Sequence, residues 1–205
     1  MIIGIYNYMD KYDFTNVKGV IHVGAHDGRE YEEYQTTFFK DITIHWFEPQ
    51  KDIFFKLLNR LDGKKNNHFY NFGLGSQEEK KQIWTEDENR GESASFSQPK
   101  HHMDLFPHVK FYPSDFLEIK TLDSFNITGS NVLVLDVQGF ELEVLKGSVE
   151  TLKEIDHIFC EINGVEMYEG CPTLSDLCEF LSQHGFTLRE DWWTEGQWGD
   201  GYWSK

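Results

Sequence analysis

The chain has 205 residues, enough for one domain with a sizeable hydrophobic core. Its 19 Lys and Arg against 35 Asp and Glu give a net charge of -16, which argues against a protein whose main task is to bind nucleic acid, because phosphate contacts need a basic surface. The three cysteines have no Cys-x-x-Cys spacing, so neither a disulfide framework nor a zinc site is indicated. The first residues lack a basic region followed by a long apolar one, and no apolar run reaches membrane-spanning length, so we expect a cytoplasmic protein with no membrane partner.

The most informative motif is an apolar run that ends in two glycines. We predict a β-strand that enters a tight turn at Gly24 and Gly28 and then opens a helix, for which Asp27 is a candidate cap. Glycine permits the sharp turn and the close approach of a ligand, and the first N–H groups of the helix can bind an anion. Dinucleotide-binding turns need a further glycine where this chain has His26, so NAD and FAD are disfavoured.

A second predicted strand, residues 42–47, ends in Glu48, 24 positions after Gly24. A carboxylate at this place in an α/β sheet can accept hydrogen bonds from both hydroxyls of a ribose. A ribose site without a pyrophosphate site indicates S-adenosylmethionine (SAM). Each motif alone is most often a plain turn or a solvated helix start, but their order and spacing favour a nucleoside site.

The rest of the chain alternates helical and strand patterns. This alternation predicts an α/β fold with an open, mostly parallel sheet and helices on both faces. The predicted elements are a lead-in with one short helix (1–19), helices at 29–39, 53–61, 142–152 and 173–181, strands at 68–72, 131–135, 155–162 and 186–189, and a hairpin at 192–203 that covers the sheet edge.

Residues 77–118 show no sustained period apart from one short candidate strand. A stretch this long without a regular pattern is usually a functional loop or disordered. We interpret it as a lid that faces the substrate, with Ser93, Ser95 and His102 as candidate acceptor contacts. The three histidines of the segment have no partners at clear ligand spacing, so a metal site is not indicated.

Several motifs together resemble the FkbM-type SAM-dependent methyltransferases. The family usually has Asp-x-Glu-Gly where this chain has Gln138 in third place, so a role that needs a carboxylate at position 138 is in doubt. The resemblance extends over roughly residues 18–190 and rests on residues 21–28, 47–49, 121–123 and 135–147, on Glu161 and on residues 185–186.

The resemblance implies a Rossmann-like class I methyltransferase fold of seven strands in a single domain, residues 1–205, with the irregular insertion at 77–118. It also implies an O-methyltransferase that acts on a sugar hydroxyl in a glycan or glycoconjugate. By matching position, the methionine part of SAM is expected at Gly24, Ala25, His26 and Gly28, the ribose at Glu48, and the adenine at Gly73 and Leu74.

Methyl transfer to a hydroxyl requires alignment of donor and acceptor and removal of a proton as the oxygen attacks. Asp136 follows a buried strand beside the glycine turn, and Glu161 ends the next strand. We expect Asp136 to accept the proton or orient the acceptor, with Glu161 assisting and Gln138 as an acceptor contact. Asp136 is also a candidate for binding the amino group of SAM, and His26 is a rival base. A divalent metal that lowers the pKa of the hydroxyl fits this chemistry, although no ligand set indicates one.

Three alternatives remain open. A nucleic-acid 2′-O-methyltransferase would use the same core, but the acidic balance weighs against it. An NAD-dependent nucleotide-sugar enzyme is disfavoured by His26. The third alternative is a non-catalytic SAM-binding module that kept the fold and lost the chemistry, which Gln138 in place of the usual glutamate favours. The sequence does not specify the acceptor sugar or the oligomeric state.

Overall fold

The computed structural model describes residues 11–38, 41–195 and 197–205. In chain order its strands are β1 (Gly19–Val23), β2 (Thr43–Phe47), β3 (Asn67–Tyr70), β4 (Gly73–Leu74), β5 (Glu79–Thr85), β6 (Tyr112–Lys120), β7 (Val132–Leu135), β8 (His157–Asn163), β9 (Thr187–Trp193) and β10 (Trp198–Ser204). Its helices are α1 (Tyr31–Phe38), α2 (Lys51–Arg60), α3 (His101–Leu105), α4 (Glu141–Lys146) and α5 (Leu174–Gln183), with 3-10 turns at Leu122–Phe125 and Thr151–Lys153. Of the predicted lead-in, residues 11–18 form no helix, and residues 1–10 lie outside the described residues.

Seven strands form one sheet in the order β3-β2-β1-β7-β8-β10-β9. Five neighbouring strands run parallel to one another, namely β3, β2, β1, β7 and β8. Strand β10 runs antiparallel to both β8 and β9. The prediction of a mostly parallel α/β sheet is therefore confirmed. The strand order reverses between β1 and β7, and in open α/β sheets a crevice for ligands forms at the carboxyl ends of such a pair.

Helices cover both faces of this sheet. Successive side chains of a strand point to opposite faces, so neighbouring residues of β1 enter different clusters. On one face, Val20 packs in a cluster with Tyr34 of α1. On the other face, Ile21 packs in a cluster with Leu145 of α4 and Leu177 of α5. Two apolar layers thus sandwich the sheet and hold the carboxyl ends of its strands in fixed positions.

Two helix predictions need correction at their ends. The predicted helix at 142–152 ends at Lys146, and its last part forms a separate 3-10 turn at Thr151–Lys153. Between them the chain lies hard against the loop after β4, where a Cβ on Gly147 would lie 2.0 Å from the carbonyl oxygen of Gly75. Asp27 does not cap α1, which begins only at Tyr31. Its carboxylate instead accepts hydrogen bonds from two arginine side chains. Helix α5 begins with a capping box between the side chains and backbone N–H groups of Thr173 and Asp176.

The predicted hairpin at the end of the chain is confirmed as β9 and β10, but its position differs from the prediction. Strand β10 lies inside the sheet, between β8 and β9, and the edge strand is β9. The last strand runs antiparallel to both of its neighbours, β8 and β9, because the hairpin turn after β9 reverses the direction of the chain. Among the described residues, no helix is both long and apolar enough to cross a membrane.

The insertion at 77–118 is more regular than predicted. It contains β5 and β6, which pair antiparallel, while β4 adds to β6 in parallel to complete a sheet of three strands. Most side chains of β5 and β6 are exposed or half-buried, so the alternation of apolar and polar residues that marks a strand is weak in the sequence. The stretch between them, residues 86–111, is irregular apart from α3.

Candidate functional site

A cleft of about 780 Å³ opens at the carboxyl ends of β1, β2 and β7. We name it the first cleft. The predicted site residues that line it are Gly24, His26, Glu48, Gly73, Leu74, Ser95, Asp136 and Gln138. The structure thus brings residues from distant parts of the sequence together in one cleft.

The glycine turn brings two strand ends into direct contact. Gly24 has a φ of +82°, and a Cβ there would lie 1.8 Å from the carbonyl oxygen of Asp136. Gly28 has a φ of +72° and packs against the side chain of Leu57. Gly28 and the buried Ala25 lie outside the set of described residues that line the cleft. They shape the turn, and the geometry does not support the predicted cofactor contact for either.

Glu48 is held in the place expected for a ribose-binding carboxylate. Its two oxygens each accept one backbone hydrogen bond, from the N–H of His26 at 3.0 Å and from the N–H of Gln50 at 2.8 Å. Burial raises the pKa of this carboxyl to about 8, although the two N–H groups favour its ionised form. Each oxygen of a carboxylate has capacity for a further hydrogen bond, so two ribose hydroxyls fit this group.

The imidazole of His26 is engaged with its surroundings. Its Nε2 donates to the carbonyl of Arg90 at 3.1 Å, and its Nδ1 accepts from Arg29 at 3.3 Å. Because both ring nitrogens have partners, the geometry does not support His26 as the rival base.

The insertion is attached to this turn at several points. Besides the bond to His26, the guanidinium of Arg29 binds the carboxylate of Glu92 at 2.8 Å. The side chain of Gln50 donates to the carbonyl of Gly91 at 3.1 Å. These contacts hold residues 91–96 along the rim of the first cleft, consistent with the predicted lid.

A second cleft of about 800 Å³ adjoins the first, and the two share Glu92 and Gln138. Of the predicted residues, Ser93, His102 and Glu161 line the second cleft. Asp136 lines only the first, so the two carboxyls predicted to act together face different spaces.

Gln138 forms the junction between the clefts. Its Nε2 donates to Asp136 Oδ1 at 2.7 Å and to Glu161 Oε2 at 2.9 Å. Its Oε1 lies 2.9 Å from the hydroxyl of Tyr168, which also lies 3.0 Å from the carbonyl of Ser93. An amide has two N–H donors and can serve both carboxyls at once, which a glutamate cannot. Gln138, which departs from the family pattern, therefore has hydrogen-bond partners for both its amide nitrogen and its amide oxygen.

Burial raises the pKa of Glu161 well above its usual range, and the nearby carboxyls of Asp136 and Glu141 raise it further. The N–H from Gln138 opposes this by favouring the ionised form. A carboxyl with a raised pKa is a stronger base once it has lost its proton, which suits the removal of a proton from a weakly acidic hydroxyl.

Both predicted serine side chains already make hydrogen bonds within the protein. Ser95 Oγ donates to the backbone carbonyl of Gln138 at 2.7 Å, and Ser93 Oγ accepts from Asn89 at 3.1 Å. Both serines are buried and act in the structure as supports for the junction. The imidazole of His102 is also buried, next to the ring of Tyr168.

The sequence interpretation missed several residues of the second cleft, notably Asn163, Tyr168 and Trp198. Asn163 and Trp198 are partners across the β8–β10 pair, far apart in the chain. No local pattern links them, so only the position of β10 inside the sheet could have identified them. Phe72, which also lines the first cleft, directly precedes the predicted adenine residues and was recognisable from its place.

Within the described ranges, no group of three or more His, Cys, Asp or Glu side chains is arranged to hold a metal ion.

One curated relative is the protein NoeI of Sinorhizobium fredii, described as a 2-O-methyltransferase. It is 31% identical over 93 residues, which cover 43% of this chain and 38% of NoeI. The chain thus matches well under half the length of that relative.

Solved structures show the same fold. The methyltransferase FkbM from Methylobacillus flagellatus superposes with a TM-score of 0.65 at 15% identity, covering 98% of this chain and 48% of the other. Fibrillarin from Aeropyrum pernix, solved with bound SAM, gives 0.55 at 10% identity, covering 98% and 72%. A Streptococcus pneumoniae protein described as a putative tRNA (m1A22) methyltransferase, also with SAM, gives 0.55 at 12% identity, covering 100% and 73%. The protein therefore has the class I SAM methyltransferase fold.

The sequence pattern of the methyltransferase FkbM domain matches residues 22–188, from β1 to β9. That range contains the glycine turn, Glu48, the Gln138 junction and both clefts' predicted residues. The chain therefore belongs to the FkbM methyltransferase family.

Proposed function

We propose that this protein is a SAM-dependent O-methyltransferase that acts on a sugar hydroxyl in a glycan or glycoconjugate. The observation that carries the proposal is the Gln138 junction, where one amide binds a carboxyl of the first cleft and a carboxyl of the second. Two adjoining clefts with a shared polar wall are what a transfer between donor and acceptor requires. The relative described as a 2-O-methyltransferase supports the choice of a hydroxyl as acceptor.

The residues of the first cleft fit SAM. Because Gly24 has no Cβ, its turn lies directly against the backbone of Asp136, and both residues line the first cleft. Glu48 would bind the ribose, Gly73 and Leu74 would contact the adenine, and Asp136 would bind the amino group of the methionine part. SAM would supply a methyl group on a positively charged sulfur, ready for displacement by an oxygen.

In the second cleft, Glu161 is the group best placed to take the proton of the acceptor hydroxyl. Its Oε2 accepts the hydrogen bond from Gln138, which leaves Oε1 for the acceptor. This division differs from the sequence hypothesis, in which Asp136 was the first choice of base. It follows from the separate clefts that the two carboxyls line.

Two single variants test the division of roles. Glu161→Gln should lower turnover by about 10²- to 10⁴-fold, the usual contribution of a general base, and leave the Kd for SAM within a few-fold. Asp136→Asn should weaken SAM binding instead. The measurements are calorimetric titration with SAM and transfer of a labelled methyl group to a panel of glycosides.

The same panel should include RNA, so that the alternative acceptor is tested directly. Methylation of RNA but of no glycoside would contradict the proposal. SAM binding without transfer to any acceptor would identify a non-catalytic SAM-binding protein. A cytoplasmic location without nucleic-acid or membrane partners is part of the proposal, and the net charge of -16 supports its nucleic-acid part.

A further inference from the structure

The second cleft combines carboxyl groups, neutral polar groups and aromatic rings. Its carboxyls are those of Glu92 and Glu161, and its rings include Phe106 and Trp198. Within the described part of the chain, no lysine or arginine side chain lines it. An anionic group bound in this cleft would therefore meet two carboxyls and no cationic side chain among the described residues that line it.

Arginine from the first cleft does not supply the missing positive charge. Arg29 lines that cleft, but its Nε binds Asp27 at 3.1 Å and its Nη2 binds Glu92 at 2.8 Å. The single positive charge of this guanidinium is thus already shared between two carboxylates, of which Asp27 also binds Arg60. A further anion would have to displace one of these ion pairs.

His102 does not supply positive charge either. Its ring packs among the rings of Phe106, Phe111 and Tyr168, with centroids 5.0, 4.9 and 5.7 Å away. Burial in these surroundings lowers its pKa, so the imidazole is neutral at pH 7. A neutral imidazole binds a hydroxyl as donor or acceptor but gives no charge attraction to an anion.

The remaining lining suits an uncharged ring that carries hydroxyl groups. Asn163 is buried, and its side-chain amide makes no hydrogen bond within the described residues, so it is free to pair with hydroxyls. Trp198 lies beside it across the β8–β10 pair. Aromatic faces such as those of Trp198 and Phe106 offer apolar surface to the C–H groups of a sugar ring.

We infer that the acceptor bound in the second cleft is an uncharged sugar residue and that the cleft excludes sugars with an anionic substituent, such as uronic acids and sugar phosphates. The inference rests on the proposed function and adds the charge class of its substrate. Asn163 and His102 bind hydroxyls of the sugar, Trp198 and Phe106 contact its ring, and Glu92 and Glu161 repel an anion.

The test compares three forms of one sugar. Methyl glycosides of glucose, galactose and mannose are each offered as the hexose, as the uronate and as the uronamide. The uronamide has nearly the shape of the uronate but no charge. Two readouts are used: the kcat/KM for labelled methyl transfer, and binding to the protein saturated with S-adenosylhomocysteine, measured by saturation-transfer NMR.

For at least one sugar, the hexose and the uronamide should both be bound and methylated. The kcat/KM for the uronate should be lower than that for the uronamide by on the order of a hundredfold, the size of a charge repulsion near partly buried carboxyls. Equal handling of uronate and uronamide overturns the inference and leaves the proposed function standing. SAM binding with no glycoside bound or methylated overturns the proposed function itself, and the inference with it.

A matched pair of variants locates the repulsion. Glu92→Gln removes one charge from the cleft and keeps an oxygen for Arg29, so the ratio of uronamide to uronate activity should fall about tenfold. Glu150→Gln removes the same charge from an exposed side chain that pairs with Lys153 and lines neither cleft, and should leave the ratio unchanged. A ratio that stays the same in Glu92→Gln contradicts the inference.

Discussion

Replacing Gln138 by methionine tests whether the junction between the clefts sets the protonation of Glu161. Methionine has a similar length and no hydrogen-bonding N–H, so the variant loses the donors at 2.7 Å from Asp136 and at 2.9 Å from Glu161. The hydroxyl of Tyr168 keeps a partner in the carbonyl of Ser93. The change is therefore confined to the two carboxyls.

The size of the effect follows from the hydrogen bond to Glu161. A hydrogen bond to a charged group contributes about 1.5–3 kcal/mol, and about 1.4 kcal/mol corresponds to one unit of pKa. The N–H of Gln138 favours ionised Glu161, so its loss raises the pKa of Glu161 by about one to two units. A base acts only when deprotonated, so the acid limb of the kcat profile should move to higher pH by that amount.

The assay is labelled methyl transfer at saturating SAM and acceptor across the pH range in which the protein stays folded. Gln138→Glu should move the acid limb in the same direction. It places a third carboxyl between Asp136 and Glu161, and the repulsion between like charges raises the pKa of Glu161. Gln183→Met, at the exposed end of α5, is the matched control and should leave the profile unchanged. An unmoved limb in Gln138→Met, with SAM affinity retained, would refute the assignment of Glu161 as base.

Three further predictions concern the cofactor site and the fold. Gly24→Ala should lower the unfolding free energy by more than about 2 kcal/mol and the Tm by at least about 4 °C, because the new Cβ would overlap the backbone of Asp136. The control is Gly129→Ala, at a φ of +78° with open space around it, which should cost only the backbone strain of about 1–2 kcal/mol. Glu48 has a pKa of about 8 and is mostly protonated at pH 7, so SAM binding that ionises it should release protons. The release is measured by calorimetry in buffers of different ionisation enthalpy, and Glu48→Gln should abolish it. Loss of the capping box in Thr173→Ala should cost about 1 kcal/mol in chemical denaturation, and Ser175→Ala, exposed in the same first turn of α5, only a few tenths.

The sign of the Glu48 effect on stability follows from the same pKa. The folded-state pKa lies above the unfolded value of 4.5, so the folded protein holds this proton more tightly than the unfolded chain. Its contribution to stability is fully present below pH 4.5 and is lost as the pH rises toward 8. Glu48→Gln should remove this part of the pH dependence in thermal melts of the SAM-free protein.

The sequence by itself determined the strand order along the chain, the glycine turn, and the carboxyls at the ends of the strands. These features are local. A short apolar run followed by glycines specifies a strand and a turn, and the carboxyl ends of parallel strands meet at one edge of any such sheet. For that reason Gly24, Glu48 and Asp136 were correctly predicted to lie together, although Gly28 and Ala25, which share the motif, are not among the described residues that line the first cleft.

The tertiary structure alone decided the second cleft and the roles at the junction. Gln138 and Glu161 are 23 positions apart, and Tyr168 and Ser93 are 75 apart, so no periodic pattern connects them. Strands β5 and β6 are largely exposed, so their sequences lack a clear alternation of apolar and polar residues. The pairing of β10 with β8 brings Trp198 to the second cleft. Polar contacts between distant segments depend on how whole layers pack, and a hydrogen bond of a side chain leaves no signal in the residues next to it.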